Sequence, residues 1–309
     1  MENKVKLSSF GSLFEGAIKD FKSRIKKIAA LSAISIGVSF ILSAAIAAAI
    51  AFGMMNVALG VLVGIIGFLV FLFATYFVNG AFVYLMKGEV SIKDSFKFIW
   101  KNIWPFFWIM VLTVLVTLPG IVALIIPGIF ISILVSFAIF IFMDEGIKGM
   151  AALEKSREYV RGYFWAIVGR FTLYVLVIMG AAIAFSIVTG LFSLIHESIG
   201  SILQTVFNVF VLAPVGLCFS WRLYKDLKEK RPEVASVSFS GKKGWIKGLA
   251  IVGAAIVIAS IILAISFGPE IKKAIEDVNS SIEQQSQTED LTLDGETFSA
   301  EELEQLLNQ

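Results

Sequence analysis

A single histidine, His196, and a single cysteine, Cys218, in 309 residues leave little room for chemistry that needs either. One cysteine cannot close a disulfide within the chain or build a cysteine-based metal site, and Cys218 lies in an apolar run where helix packing is the ordinary role of a thiol. Neither a Gly-rich phosphate loop, nor His-Glu-x-x-His, nor Gly-x-Ser-x-Gly occurs, so the sequence offers no catalytic, cofactor-binding or metal-binding residue of known spacing. His196 with Glu197 could hold a proton or a metal in a loop, although such a pair is ordinarily solvated surface. The expectation is a protein that is not an enzyme and carries no cofactor.

Charge is scarce too. Only 16% of residues are charged and 58% are hydrophobic, with a mean hydropathy of +0.86, the composition of a polytopic membrane protein. A net charge of +2 gives no reason to expect nucleic acid as a partner. Asn102 to Met143 has no charged side chain. That run is too long for one bilayer crossing of about 20 residues, so it reads as two short helices meeting at a turn. Leu118-Pro119-Gly120 and Ile126-Pro127-Gly128 are its only interruptions. Pro119-Gly120 should close the first helix and Pro127 suits the first turn of the second. Residues 121–126 would form a tight outer turn or a short re-entrant piece.

Along the chain one pattern recurs. Phe10, Leu13, Phe14, Ile18, Phe21 and Ile25 recur at three- and four-residue intervals with lysines opposite, the mark of an interfacial helix. Spans follow over 28–51 and 57–86. Ser91 is a plausible N-cap for a second such helix, which feeds spans over 104–118 and 127–143. A third begins at Gly149, with Met150, Leu153, Tyr159, Val160 and Phe164 toward the membrane and Glu154, Lys155, Arg157, Glu158 and Arg161 toward water. Spans over 171–195 and 202–221 complete the core. The fold expected is therefore all-α, a transmembrane bundle of three repeats, each an interfacial helix plus a two-span hairpin, with a seventh span. The segments are an N-terminal helix (1–27), a six-span core (28–224), a basic loop (225–245), the seventh span (246–267) and an acidic tail (268–309).

Charge asymmetry orients this arrangement. Of 26 basic residues, 24 lie before the first span, in the loops after spans two, four and six, or at Arg170 and Lys247 close to them; only Lys272 and Lys273 lie beyond. The positive-inside rule makes the N-terminus cytoplasmic, and an odd number of spans puts the tail outside. There Ser299 and Glu302 could form a capping box and Phe298 a staple with Leu303. Phe298, Leu303, Leu306 and Leu307 then become candidates for docking an extracytoplasmic protein partner, against the plainer reading of a mobile tail.

Within the spans ionisable groups are the usual pointer to transport, and here Arg170 stands out. It could snorkel to the interface or form a buried ion pair with Asp144 or Glu145. The uncharged polar residues, among them Asn79, Thr113, Ser136, Thr189, Gln204 and Asn208, read as helix–helix contacts. Small-residue stretches such as Ala44 to Ala51 suit close helix approach within the chain or in a homo-oligomer.

The segment from Leu124 to Arg170 contains Ile126-Pro127-Gly128-Ile-Phe, Asp144-Glu145-Gly146, Ala151-Ala-Leu-Glu-Lys-Ser156 and Arg161-Gly162-Tyr-Phe-Trp165. It resembles the prokaryotic membrane domain that precedes the catalytic part of some glycerophosphodiester phosphodiesterases and that also stands alone. The resemblance implies a six-helix core in the plasma membrane of a bacterium or archaeon. It does not imply phosphodiesterase activity, because the catalytic barrel with its His-Arg-Gly signature is missing. Two functions are then expected to compete: a scaffold or accessory protein binding membrane lipids and a partner, and a transporter or channel for a lipid-like or small apolar substrate.

Overall fold

The computed structural model describes residues 6–193, 196–241 and 244–260, with residues 262–263, 266, 280, 292–293 and 296–297 beyond them. The chain divides into two units, Met1–Gly253 and Ala254–Gln309. Helices α1 (Phe10–Ser23), α2 (Ile25–Met55), α3 (Val57–Leu85), α4 (Ile92–Lys101), α5 (Ile103–Ala123), α6 (Ile125–Val135), α7 (Ala138–Glu145), α8 (Met150–Val160), α9 (Phe164–Ser193) and α10 (Glu197–Phe207) follow one another. A π-helical turn, Asn208–Leu212, joins α10 to α11 (Ala213–Lys230), and the short α12 (Pro232–Ala235) follows. A further apolar helix, α13, spans Gly244–Ser260. In the second unit Thr292–Leu293 and Glu296–Thr297 pair antiparallel. The expected docking residues Phe298, Leu303, Leu306 and Leu307 lie outside the described residues.

Six helical stretches are long and apolar enough to cross a membrane: Ile25–Met54, Leu59–Leu85, Ile103–Ala123, Ile125–Glu145, Phe164–Ser193 and Ser198–Lys230. The protein is an all-α, multi-pass membrane protein. Side chains such as Phe40, Ile50, Ile66 and Leu176, all more than half exposed, would be intolerable in water and are at home in lipid.

Three of the helix-to-helix turns are built alike. Asn56, Leu124 and His196 are each a fully extended residue between two helices, with φ of −157°, −167° and −163°. Each donates its N–H to the carbonyl four residues back, Phe52, Gly120 and Phe192. Four residues after each comes a glycine: Gly60, Gly128 and Gly200. A Cβ on Gly60 would meet Gly53 Cα at 2.5 Å, one on Gly128 would meet the Ile121 backbone at 2.8 Å, and one on Gly200 would meet the Thr189 carbonyl at 2.9 Å. So sharp a reversal brings the two helices to backbone contact one turn below the tip, where only glycine fits. Asn56 and His196 also cap the following helix with their side chains.

These turns correct the expected hairpin. Pro119-Gly120 does not end a helix: α5 continues through both to Ala123, and the turn is Leu124 alone, so residues 121–126 are not a re-entrant piece. Pro127 does lie in the first turn of α6. Proline inside a helix leaves the carbonyl four residues earlier without its donor, here that of Leu115. The backbone of Gly253 in α13 is drawn up against that oxygen so closely that any Cβ there would collide with it. Helix α13 thereby covers the carbonyl that Pro119 leaves open.

The expected span over 127–143 falls within one apolar stretch, Ile125–Glu145, but it is not one continuous helix. Residues Ser136 and Phe137 separate α6 from α7, and α7 ends at Gly146 in the left-handed region, φ 74°, a glycine C-cap. Helix α8 departs further from expectation. Rather than lying at an interface with its charges in water, it is enclosed by protein: Leu153, Tyr159 and Val160 are fully buried, as are Glu154 and Lys155. Residues 225–245 are likewise no free loop, because α11 runs on to Lys230 and residues after it wrap α8.

Candidate functional site

At the charged end of the bundle, helices α7, α8 and α11 meet around two carboxylates. Asp144 and Glu145 end α7, where their charge opposes the negative end of the helix dipole. They are offset by three ammonium groups. Lys155 from α8 lies 2.6 Å from Glu145. From α11, Lys225 lies 2.8 Å and Lys228 2.6 Å from Asp144, and Lys228 also reaches Glu145 at 3.4 Å. Tyr224 hydroxyl sits between the two acids, 3.0 Å from Asp144 and 2.9 Å from Glu145, and Tyr159 donates to Glu145 at 3.0 Å. Burial, then the charge of Glu145, hold the Tyr159 phenol far above its ordinary pKa, so it stays a donor.

Aromatic rings form the wall of this cluster. Phe137, Phe140, Tyr159 and Trp221 all have ring centroids within 6.4 Å of the Tyr224 ring, and Lys225 lies 5.0 Å above Trp221. The wall encloses the Lys155–Glu145 pair, where an unmatched charge is costly, while Lys225 and Lys228 reach Asp144 from the exposed side. Lys155, 1% exposed, uses all three of its protons: besides Glu145 it donates to the carbonyls of Ala235 and Val237. Glu154, beside it, accepts the Gly241 N–H at 3.1 Å. Arg231 donates to the carbonyls of Glu158 and Arg161. The segment after α11 is thus strapped over α8 by charged side chains bonded to backbone.

Arg170 does not join this cluster, so of its two readings the pair with Asp144 or Glu145 is not formed. Its guanidinium turns to the N-terminal segment, donating to the Ser8 carbonyl at 2.7 and 3.0 Å, to Leu7 at 2.9 Å and to Ala166 at 2.7 Å. Asp144 and Glu145 already have nearer cations, so Arg170 binds the free carbonyls of residues 7–8 just before α1. Asp226 completes the clamp, accepting the Ser8 N–H at 2.9 Å and its hydroxyl at 2.6 Å. Across α1, Arg222 forms a two-pronged pair with Asp20 and lies over Gly16, where a Cβ would come within 3.2 Å of it.

Between the hairpin α2–α3 and the start of α11 a groove of about 480 Å³ opens, within the range of small-ligand sites. Ser35 and Ser39 of α2, Thr75 and Asn79 of α3, and Ser220 of α11 line it with Val38, Phe71, Phe82, Val209 and Leu217. Its back wall is the π-helical turn. There the Asn208 carbonyl takes the Ala213 N–H, and the next bond in that register would need an N–H on Pro214. Proline has none. The orphaned Val209 carbonyl accepts instead from the fully buried Ser32 hydroxyl at 2.9 Å.

Other sequence candidates resolve locally. Thr113, Thr117, Ser132, Ser136 and Ser186 bond carbonyls of their own helices; Thr189 with Gln204 crosses between helices at 3.4 Å. Cys218 is buried, 3.5 Å from the Met86 sulfur. His196 caps α10 through Nδ1, which accepts the Ser198 N–H. Among the described residues no group of three or more His, Cys, Asp and Glu side chains gathers as metal ligands. Sequence reasoning did not single out Lys225, Lys228 and Tyr224, although their spacing of one to four residues at a helix end is readable, nor the groove. Comparison of the chain with families of known proteins, with curated proteins and with solved structures finds no match.

Proposed function

We propose that this chain is a membrane scaffold or accessory protein of a prokaryotic plasma membrane, not an enzyme, that binds lipid and presents a rigid cytoplasmic plate. The observation that carries the reading is the charged cluster: two acids, three lysines and two tyrosines from α7, α8 and α11 are spent on one another. A proton or ion path needs an ionisable group free to change partners in the span, whereas these hold three helices in one place. The Arg170 and Arg222 clamps add α1 to the same plate.

The finer topology belongs to this reading. The distribution of basic residues favours the charged end as cytoplasmic. Three turns of one geometry, each reached from a short helix and a long one (α1 and α2, α4 and α5, α8 and α9), support three structural repeats. Helix α13, an apolar helix over Gly244–Ser260, supports a seventh span over 246–267, which would carry the acidic tail outside to meet a protein partner. The segment 124–170, which resembles the membrane domain of glycerophosphodiester phosphodiesterases, supplies α7 and α8 of the plate and α6 before them; that likeness supports a shared core architecture.

The test is native mass spectrometry from lipid-preserving nanodiscs, comparing the full chain with a truncation after Phe267. An added protein mass lost with the tail is the expected result. A bare chain or homo-oligomer holding a small molecule would instead favour a transporter of lipid-like or small apolar substrates, the second reading, which the uncharged groove supports.

A further inference from the structure

We infer that the groove between α2, α3 and α11 binds an uncharged, hydroxyl-bearing lipid of the acylglycerol kind, entering sideways from the bilayer. The inference stands on the groove alone and does not depend on the scaffold reading.

Asn79 is the starting point. Its side-chain N–H₂ donates to the Thr75 carbonyl at 2.8 Å, which fixes the amide orientation, since only the nitrogen can donate. Among the described residues no donor reaches Oδ1, and Asn79 lines the groove and is exposed. Asn79 lies six residues before the end of α3, about 9 Å along the helix axis, inside a stretch apolar enough to span a membrane. A bare amide oxygen there is costly in hydrocarbon. It calls for a donor, and a lipid hydroxyl is one that the membrane itself supplies.

The rest of the lining selects the same class. Ser220 approaches from α11 and Thr75 continues the polar strip one turn deeper on α3, both able to give or take a hydrogen bond. None of the described residues lining the groove is charged. Arg222, two residues from Ser220, is engaged with Asp20, so a phosphate or carboxylate headgroup would find no cation. Val38, Phe71, Phe82 and Leu217 offer an apolar wall to an acyl chain. The back wall is held by Ser32 on the Val209 carbonyl, a repair that keeps the wall closed where Pro214 would leave an open polar atom.

The test uses the full chain in phosphatidylcholine nanodiscs and a monoacylglycerol carrying a diazirine in its chain. Saturable photolabelling is expected on peptides of α3 and α11. Unlabelled monooleoylglycerol should compete at least tenfold better than lysophosphatidic acid, which has an anionic head, or octadecene, which has no hydroxyl. Asn79→Leu should weaken labelling about fivefold, the weight of one hydrogen bond, and Leu217→Trp should abolish it by filling the space; melting of both variants is followed by tryptophan fluorescence to confirm folding. Labelling that does not saturate, that falls on other helices, that is competed equally by all three molecules, or that is unchanged in a folded Asn79→Leu would overturn the assignment. So would a disulfide between two copies forming readily from Asn79→Cys in a Cys218→Ser background, because a second chain would then occupy the groove.

Discussion

The Ser156 hydroxyl of α8 accepts the Phe137 N–H at 3.1 Å and donates to the Leu134 carbonyl at 2.8 Å, closing both backbone groups that the break between α6 and α7 leaves open. Phe137 and Ser156 are fully buried, so water cannot take the hydroxyl's place. One side chain from a different helix therefore decides whether a broken span is tolerated.

Ser156→Ala should cost about 1–3 kcal/mol, the penalty of leaving buried backbone groups unpaired. Thermal unfolding in detergent should show it, with Ser132→Ala as the control, since Ser132 is only half-buried and bonds a carbonyl of its own helix. Equal melting of the two variants would mean that the break is satisfied some other way.

The Lys155–Glu145 pair makes a stronger demand. Removing Glu145 leaves the buried Lys155 ammonium without a counter-charge, a loss of about 3–5 kcal/mol, whereas removing Lys155 leaves Glu145 with Lys228 and two tyrosine hydroxyls. Glu145→Gln should therefore be severe and Lys155→Met milder, and the double variant should cost clearly less than their sum, because the penalty is shared. Additive losses in a double-mutant cycle would contradict a direct pair.

Much of this was legible in the sequence, and the remainder fails for one physical reason. Spans, the Ser91 cap, which does accept the Asp94 N–H, and the first-turn Pro127 are encoded within a few residues, where apolar length and capping chemistry can be read. Burial of Glu154 and Lys155 is not. An amphipathic pattern assigns charge to water, and here the partners of Lys155 lie 80 and 82 residues away at Ala235 and Val237. Arg170 fails similarly: its acceptors are backbone carbonyls of residues 7 and 8, which carry no side-chain signal. The groove is assembled from isolated hydroxyls and one amide on three helices, and its π-helical wall announces itself only through Pro214.

The hairpin tips give a prediction that separates crowding from helix propensity. Gly128→Ala or Gly60→Ala places a methyl 2.5–2.9 Å from backbone across the turn, and forcing the helices apart should cost about 1–3 kcal/mol. Gly180 and Gly190 of α9 have nothing within 4 Å of a new Cβ, so alanine there should be neutral or stabilising by up to about 1 kcal/mol. Melting shifts of one sign at all four positions would refute the distinction.

Gly253 tests whether α13 replaces what Pro119 removes. The Leu115 carbonyl, without its helical donor, faces the Gly253 backbone, and any larger residue collides with it. Gly253→Leu should therefore expel α13 from α5, read as faster disulfide trapping or proteolysis of the segment around Trp245 and as a lower melting temperature. Pro119→Ala supplies the missing N–H and lets Leu115 close its own bond. In that background the Gly253 contact no longer answers an orphaned carbonyl, so Gly253→Ala should lose part of its cost. If the penalty at Gly253 is identical with and without Pro119, the close approach is steric packing alone and the carbonyl plays no part in seating the helix.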